Sequence, residues 1–310
     1  VAEAVRNRLE YITGEVLIDK ADNKSGRKSY PEYPIFKSKQ NSYVYYGQNN
    51  TQGNVYATND FYFLVYPFEM DSLDNFNYKD LNFKGEFASA GIFPQFEKQL
   101  SLQPDNSLGF RHMTPEQGFP LYNGKGTFHN EIWLSNNGLR GDGTVEYLTS
   151  TTWSKDFIFY PDSMNTRSDK YQIAIQTTGM EYPRASSVHN YIHWMPYADV
   201  MYAYKTDTDF NMFNDSTFLN GNLKLEPSGL SGNGRMDLKN SDLSSGLFTY
   251  KAQDIYSDTA DFFLRSLYNE GFTVLTNNVN AHINYTSRKG WFKSNEDYTL
   301  VSFPDNDYIS

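Results

Sequence analysis

"GLSGNGRMDL" (229–238) places Gly229, Gly232 and Gly234 within six positions and then turns apolar on alternate residues. A phosphate-binding glycine loop and a turn between strands both begin this way. The phosphate loop needs a helix after it, because the helix N-terminus supplies the N–H groups that meet the anion. Here the chain continues as "MDLKNSDLSS" (236–245), which alternates with period two and shows no helical period. No lysine of the nucleotide-binding type accompanies it. The stretch is therefore expected to be a corner between strands, where glycine supplies positive φ or close backbone approach.

The same form occurs earlier as "GLRGDGTVEY" (138–147), with Gly138, Gly141 and Gly143 each 91 positions before their counterparts. The register extends without a gap from "LSNNGLRGDGTVEYLTSTTWSKDFIFYPDSM" (134–164) onto 225–255. It keeps Leu134/Leu225, Leu139/Leu230, Ser150/Ser241, Ser154/Ser245 and Phe157/Phe248 identical. At the same spacing "VHNYIHW" (188–194) falls on "VNAHINY" (279–285), which sets Asn280 and Asn284 against His189 and His193. An internal repeat of this size stacks on its neighbour. The expected organisation is an N-terminal β-rich segment (1–125), a first copy (126–215) and a second copy (216–310) that continues past the last residue. The expected fold class is all-β, a β-solenoid-like or tandem β-sandwich array.

Composition agrees with strands. Aromatic residues make up 17% of the 310, including 25 Tyr and 23 Phe, and such side chains suit a pleated, half-buried surface. "FYFLVYPF" (61–68) and its neighbours read as strand, Asn/Gly turn, strand. One weak helix is expected within residues 1–12. The net charge of −10, without a run of Lys or Arg beyond two, excludes a basic footprint for nucleic acid. No stretch reaches the roughly 20 apolar residues that span a bilayer as a helix. The absence of cysteine removes thiolate chemistry and disulfides. The chain begins at Val1, which suggests a processed protein or a fragment.

Few residues point to chemistry. His189 and His193 are spaced i, i+4; on a strand they share a face but lie roughly 13 Å apart, too far for one metal ion. His112, His129 and His282 are isolated. "TDTDF" (206–210) and "FPDNDY" (303–308) cluster oxygens without EF-hand spacing. No catalytic residues, metal or cofactor are expected. Trp133, Trp153, Trp194 and Trp291 are the candidate sugar-stacking platform, and Gly138, Gly141, Gly143, Gly229, Gly232 and Gly234 the structural turn positions.

Three strings resemble segments of very large, repetitive, uncharacterised cell-envelope proteins of Bacteroidota. They are "WMPYADVMYAYKTDTDFNMFND" (194–215), 229–264 and "GFTVLTNNVNAHINYTSRKGWFKSNEDYTLVSFPDNDYIS" (271–310). The resemblance implies a slice of a longer array, exported to the periplasm or cell surface, with no known activity. It also makes "DSL" (71–73), "DSM" (162–164) and "DTA" (258–260) similar to that phylum's O-glycosylation pattern. The function expected is a structural or adhesive module whose partners are neighbouring repeats and glycans. A glycan-binding or glycan-cleaving protein and a lipid-transfer groove are the alternatives.

Overall fold

The computed structural model describes residues 7–19, 33–46, 56–71, 73, 77, 81–213, 217–265, 273–296, 300–302 and 308–309. Among them the regular structure is β-strand, apart from a 3-10 turn at Pro196–Ala198 and the 3-10 residue Leu73. The chain is all-β. Residues 1–6 of the expected helix lie outside the described residues. The remainder is extended, with Leu9 facing Val44 and Glu10 facing Tyr43 across a ladder. Tyr11, at φ 61°, ends that strand.

The strands in order begin with β1 (Leu9–Glu10), β2 (Gly14–Asp19), β3 (Tyr33–Ser38), β4 (Ser42–Tyr45), β5 (Phe61–Val65), β6 (Glu69–Met70), β7 (Asn82–Ser89), β8 (Phe96–Leu102), β9 (Leu108–Met113) and β10 (Phe119–Leu121). Next come β11 (Gly126–Ser135), β12 (Gly138–Tyr147), β13 (Ser150–Phe159), β14 (Met164–Arg167), β15 (Lys170–Ile173), β16 (Ala185–Ser187), β17 (Tyr191–Met195), β18 (Val200–Tyr204) and β19 (Phe210–Met212). The last are β20 (Thr217–Glu226), β21 (Gly229–Asp237), β22 (Ser241–Lys251), β23 (Asp254–Leu264), β24 (Thr273–Asn284), β25 (Lys289–Ser294), β26 (Leu300–Ser302) and β27 (Tyr308–Ile309).

The chain forms two compact units, residues 1–142 with 158–161, and residues 143–157 with 162–310. These limits cut inside β12 and β13. Phe159, at the end of β13, packs 5.4 Å from Phe128 and 5.1 Å from Phe93, within the first unit. Tyr147, at the end of β12, packs 5.1 Å from Trp194, within the second.

In the first unit, β4, β5, β7, β8 and β9 pair antiparallel in sequence order, and β9 and β10 both pair with β11. Strand alternation does the sorting: in β5, Phe61, Phe63 and Val65 are buried while Tyr62 and Leu64 are half-buried. The buried faces build a core of edge-to-face rings, with Phe87 5.1 Å from Phe110 and 5.4 Å from Phe61. Much of the aromatic excess resides here.

In the second unit the pairing closes into a barrel-like ring. One edge of β13 carries β15, which pairs with β16, then β19, then β20. From β20 the path returns through β18 and β17 to β14. β14 rejoins β13 through Thr166, whose hydroxyl donates to the Asp156 carbonyl at 2.9 Å. Eight strands thus close on themselves, in place of the solenoid coil or facing sandwich sheets expected. The reason lies in β20: its residues 217–219 pair with β19 while 222–225 pair with β18, so one long strand holds both arms. After the ring, β20 to β24 continue as a meander of long antiparallel hairpins.

Strand limits recur at the spacing read in the sequence. β11 and β20, β12 and β21, and β13 and β22 each start 91 positions apart. Registers recur too: Ser150 faces Ile173 as Ser241 faces Leu264, and Phe119 faces Phe128 as Phe210 faces Leu219. Beyond residue 173 the spacing becomes 89. Trp194 faces Met201 as Ile283 faces Gly290. The ungapped alignment of 188–194 with 279–285 is therefore two residues out of step with the strands. The segment joining β15 to β16 is longer than the one joining β23 to β24.

Of the glycines of 229–238, Gly232 and Gly234 lie inside β21 and mark no corner. Only Gly229 stands at the hairpin end, opposite Glu226. Gly234 takes φ +122° and faces Gly221 directly, and a Cβ at either would collide with the opposite backbone. Gly232 and Gly234 flank a bulge where Gly246 and Leu247 of β22 stand against Asn233 alone. The Ser245 hydroxyl accepts from the Leu247 N–H at 3.0 Å and closes that bulge. Ser154, its counterpart, accepts from the Asp156 N–H at 3.1 Å.

Candidate functional site

One face of the second unit carries a continuous row of solvent-facing side chains. Direct cross-strand partners link Asn165, His193, Tyr202, Lys224, Ser231, Thr249, Tyr256, His282 and Trp291 in sequence. These nine residues come from nine neighbouring strands, β14, β17, β18 and β20 to β25. With strands about 4.8 Å apart the row runs for about 38 Å. Period-two alternation turns it outward: beside it Ile192, Trp194, Ala203, Leu223, Leu225, Leu230, Tyr250, Ile255 and Ala281 are buried.

Rings cluster near both ends. At one end His282 lies between Tyr256 and Trp291, with centroids at 4.3 and 4.8 Å and planes within 12° and 23°. Trp291 is 52% exposed. The imidazole is oriented by Asp254, whose Oδ1 is 2.7 Å from His282 Nε2 and accepts from Asn284 Nδ2 at 2.8 Å. Lys251 Nζ stands 5.1 Å over the Tyr256 ring. At the other end Tyr204 stacks 5.9 Å from Tyr202 and 6.0 Å from Tyr191. There Asn165 Oδ1 meets His193 Nδ1 at 2.6 Å and accepts from the Tyr191 hydroxyl at 3.0 Å.

Between the clusters lies a groove of about 570 Å³. Its floor is Lys224, Ser231 and Thr249 of the row, with Lys251 and Glu226 alongside and Met180 and Glu181 on the rim. Lys224 Nζ and Glu226 Oε1 pair at 2.8 Å. The surface therefore offers rings near both ends and, between them, a groove of mixed polar and apolar lining.

No protein-family model, curated protein sequence or solved structure matches this chain.

The four tryptophans are not brought together. Trp194 is fully buried, packed on Tyr147 within the core of the ring. Its strand alternates so that His193, not Trp194, faces outward. Trp133 of β11 is half-buried under Arg111, 5.2 Å from its ring, in the first unit. Trp153 of β13 is half-buried under Lys170 at 4.8 Å. Trp291 alone joins the row. The sequence reading missed Tyr202, Tyr204, Tyr256 and His282. Alternation in "YIHWM" and "VMYAY" marks which of them face out, but the row exists only once registers are known.

The remaining candidates fall elsewhere. His189 precedes β17 at φ 57°, and its carbonyl accepts from the Thr206 hydroxyl. In "TDTDF", Asp207 pairs with Arg167 at 2.6 Å and Asp209 with Lys205 at 3.0 Å. His112 stacks between Phe96 and Phe119 at 4.5 and 5.3 Å, in the first unit. Residues 303–307 of "FPDNDY" lie outside the described residues.

Proposed function

We propose that this chain is a non-catalytic adhesive module that holds an extended, hydroxyl-rich polymer, a glycan, along the row from Asn165 to Trp291. One observation carries the reading: two ring clusters, with Tyr202 and Tyr256 four strand spacings or about 19 Å apart, flank a groove where Lys224, Glu226, Ser231, Thr249 and Lys251 stand beside the apolar Met180, Leu230 and Leu247. Sugar rings present flat C–H faces to aromatic rings, and their hydroxyls suit Lys, Thr, Ser and Asn. Binding across the strands lets one linear ligand touch both clusters.

The setting proposed is an exported bacterial envelope protein, on the strings quoted from 194–310. The array organisation belongs to the same proposal. Its support is the recurrence of strand limits and of registers between 126–212 and 217–302. The lipid-groove alternative is weaker, because Lys224, Glu226, Lys251 and Glu181 line the groove and an acyl chain would strip these charges of water.

The test is a glycan array with the purified chain, followed by titration calorimetry on the strongest hit and a turnover assay on the same sugar. Binding that strengthens with oligosaccharide length, without turnover, is expected. A blank array would end the glycan reading, and cleavage of the sugar would end the non-catalytic one.

A further inference from the structure

Among the described residues the outer edge of β25 carries no strand, whereas the corresponding edge in the other run does. β18 is bordered by β17 on one side and by β20 on the other, with Tyr202 facing Lys224 and Met201 facing Leu225. β25 corresponds to β18, since His193 faces Tyr202 as His282 faces Trp291, 89 positions on. Among the described residues β25 pairs only with β24. Its neighbours repeat the pattern. Ala185 faces Met212 as Val274 faces Val301, and β27 pairs with β26 as the first residues of β20 pair with β19.

The inward faces of the two strands also differ. Ala203 of β18 is fully buried beside Leu223. Its counterpart Phe292 is 36% exposed. Phe292, Phe262 and Ile283 line an open pocket of about 390 Å³, rimmed by Lys239, Arg288 and Lys289.

We propose that the β25 edge accepts one antiparallel β-strand of the β20 type, an extended peptide with apolar residues at alternate positions and an acidic residue at its C-terminal end. In β20 these are Leu223, Leu225 and Glu226. Transferred to β25 by the same register, the two leucines cover Phe292 and Gly290, and the glutamate falls beside Lys289. The lysine at position 224 falls on Trp291. Such strand addition draws affinity from main-chain hydrogen bonds and specificity from the alternating side chains. Lys289 and Lys293 set the partner's charge, because like-charged edges do not pair with each other. The occupant is thus an acidic-ended strand and not a second β25.

The probe is the synthetic peptide TFLNGNLKLE, residues 217–226, titrated into the full chain and followed by amide chemical shifts and hydrogen exchange. Slowed exchange confined to 289–294 and a shift in Trp291 fluorescence are expected. Affinity should fall at least tenfold for a peptide carrying Asp at its two inward Leu positions, and at least tenfold for the protein variant Phe292→Asp. Equal binding of the Asp peptide, protection mapping away from β25, or no binding at millimolar peptide would overturn the proposal. So would a detergent monomer, and not the peptide, filling the pocket. None of these readouts involves a sugar, so the proposal stands or falls separately from the glycan reading.

Discussion

His193 and His282 occupy the same place in two runs of strands: each faces an aromatic residue one strand on, Tyr202 and Trp291 respectively. Each imidazole is held by a side-chain oxygen, from Asn165 in one run and Asp254 in the other. The ungapped sequence alignment placed Asn284 opposite His193; the strand pairing places His282 there.

Trp291 carries its ring on the surface, so its removal should affect binding and leave folding intact. Trp291→Ala is expected to weaken the best oligosaccharide by about 2- to 13-fold, from stacking worth about 0.5–1.5 kcal/mol. Tyr202→Ala should do the same from the other end. Calorimetry beside thermal melting checks this; a fall in melting temperature that matched the affinity loss would assign both residues to structure.

Trp194 makes the opposite prediction. It is fully buried in the ring, and Trp194→Ala should cost about 3–5 kcal/mol. Chemical denaturation measures it. A loss below about 1 kcal/mol would mean that the ring is not a packed core.

Gly234 and Gly221 face each other with room for no side chain. Gly234→Val adds strain at φ +122° and a clash with the Asn220 carbonyl, and should destabilise by about 2–4 kcal/mol. Gly246→Ala, at a bulge position with open space around it, should be nearly neutral and serves as the control for the urea midpoint.

Asp242 is buried and accepts from Arg235 at 2.6 Å and from Arg265. Both guanidiniums are partly exposed, so water screens part of the attraction. Asp242→Asn is expected to cost about 1–2 kcal/mol, with added salt narrowing the gap between variant and parent. An unchanged gap at high salt would deny the electrostatic origin.

Burial pushes Tyr56 from its ordinary 10.0 up to about 12, although the Leu139 N–H donated to its oxygen acts the other way. Tyr171 and Tyr250 are raised by burial as well. The native state therefore holds these phenolic protons more tightly than the unfolded chain does. Stability is full below about pH 10 and falls as pH rises toward about 12, by about 3 kcal/mol for Tyr56 alone. Tyrosinate absorbance should rise together with loss of strand circular dichroism. Ionisation of all tyrosines near their ordinary pKa without unfolding would contradict it.

The strand periods were legible because alternation is a local property. Alternation records which face is wet, and the Ser154/Ser245 identity records a bulge that each hydroxyl closes through the N–H two residues on. The hydrogen bonding that holds Gly232 and Gly234 inside a strand was not legible. Positive φ suits a corner and a bulge equally well, and only the partner strand distinguishes them.

What the amino-acid sequence determined by itself was the class of structure: period-two alternation with abundant Tyr and Phe can bury one face only in a sheet. What tertiary structure alone decided was register. Register closes eight strands into a ring and hides Trp194 behind His193. It also aligns nine side chains drawn from Asn165 to Trp291 into one row. The physical reason is that a ladder slipped by one residue turns every side chain to the other face. That choice is made by hydrogen bonds between segments distant in the chain, and no local pattern encodes it.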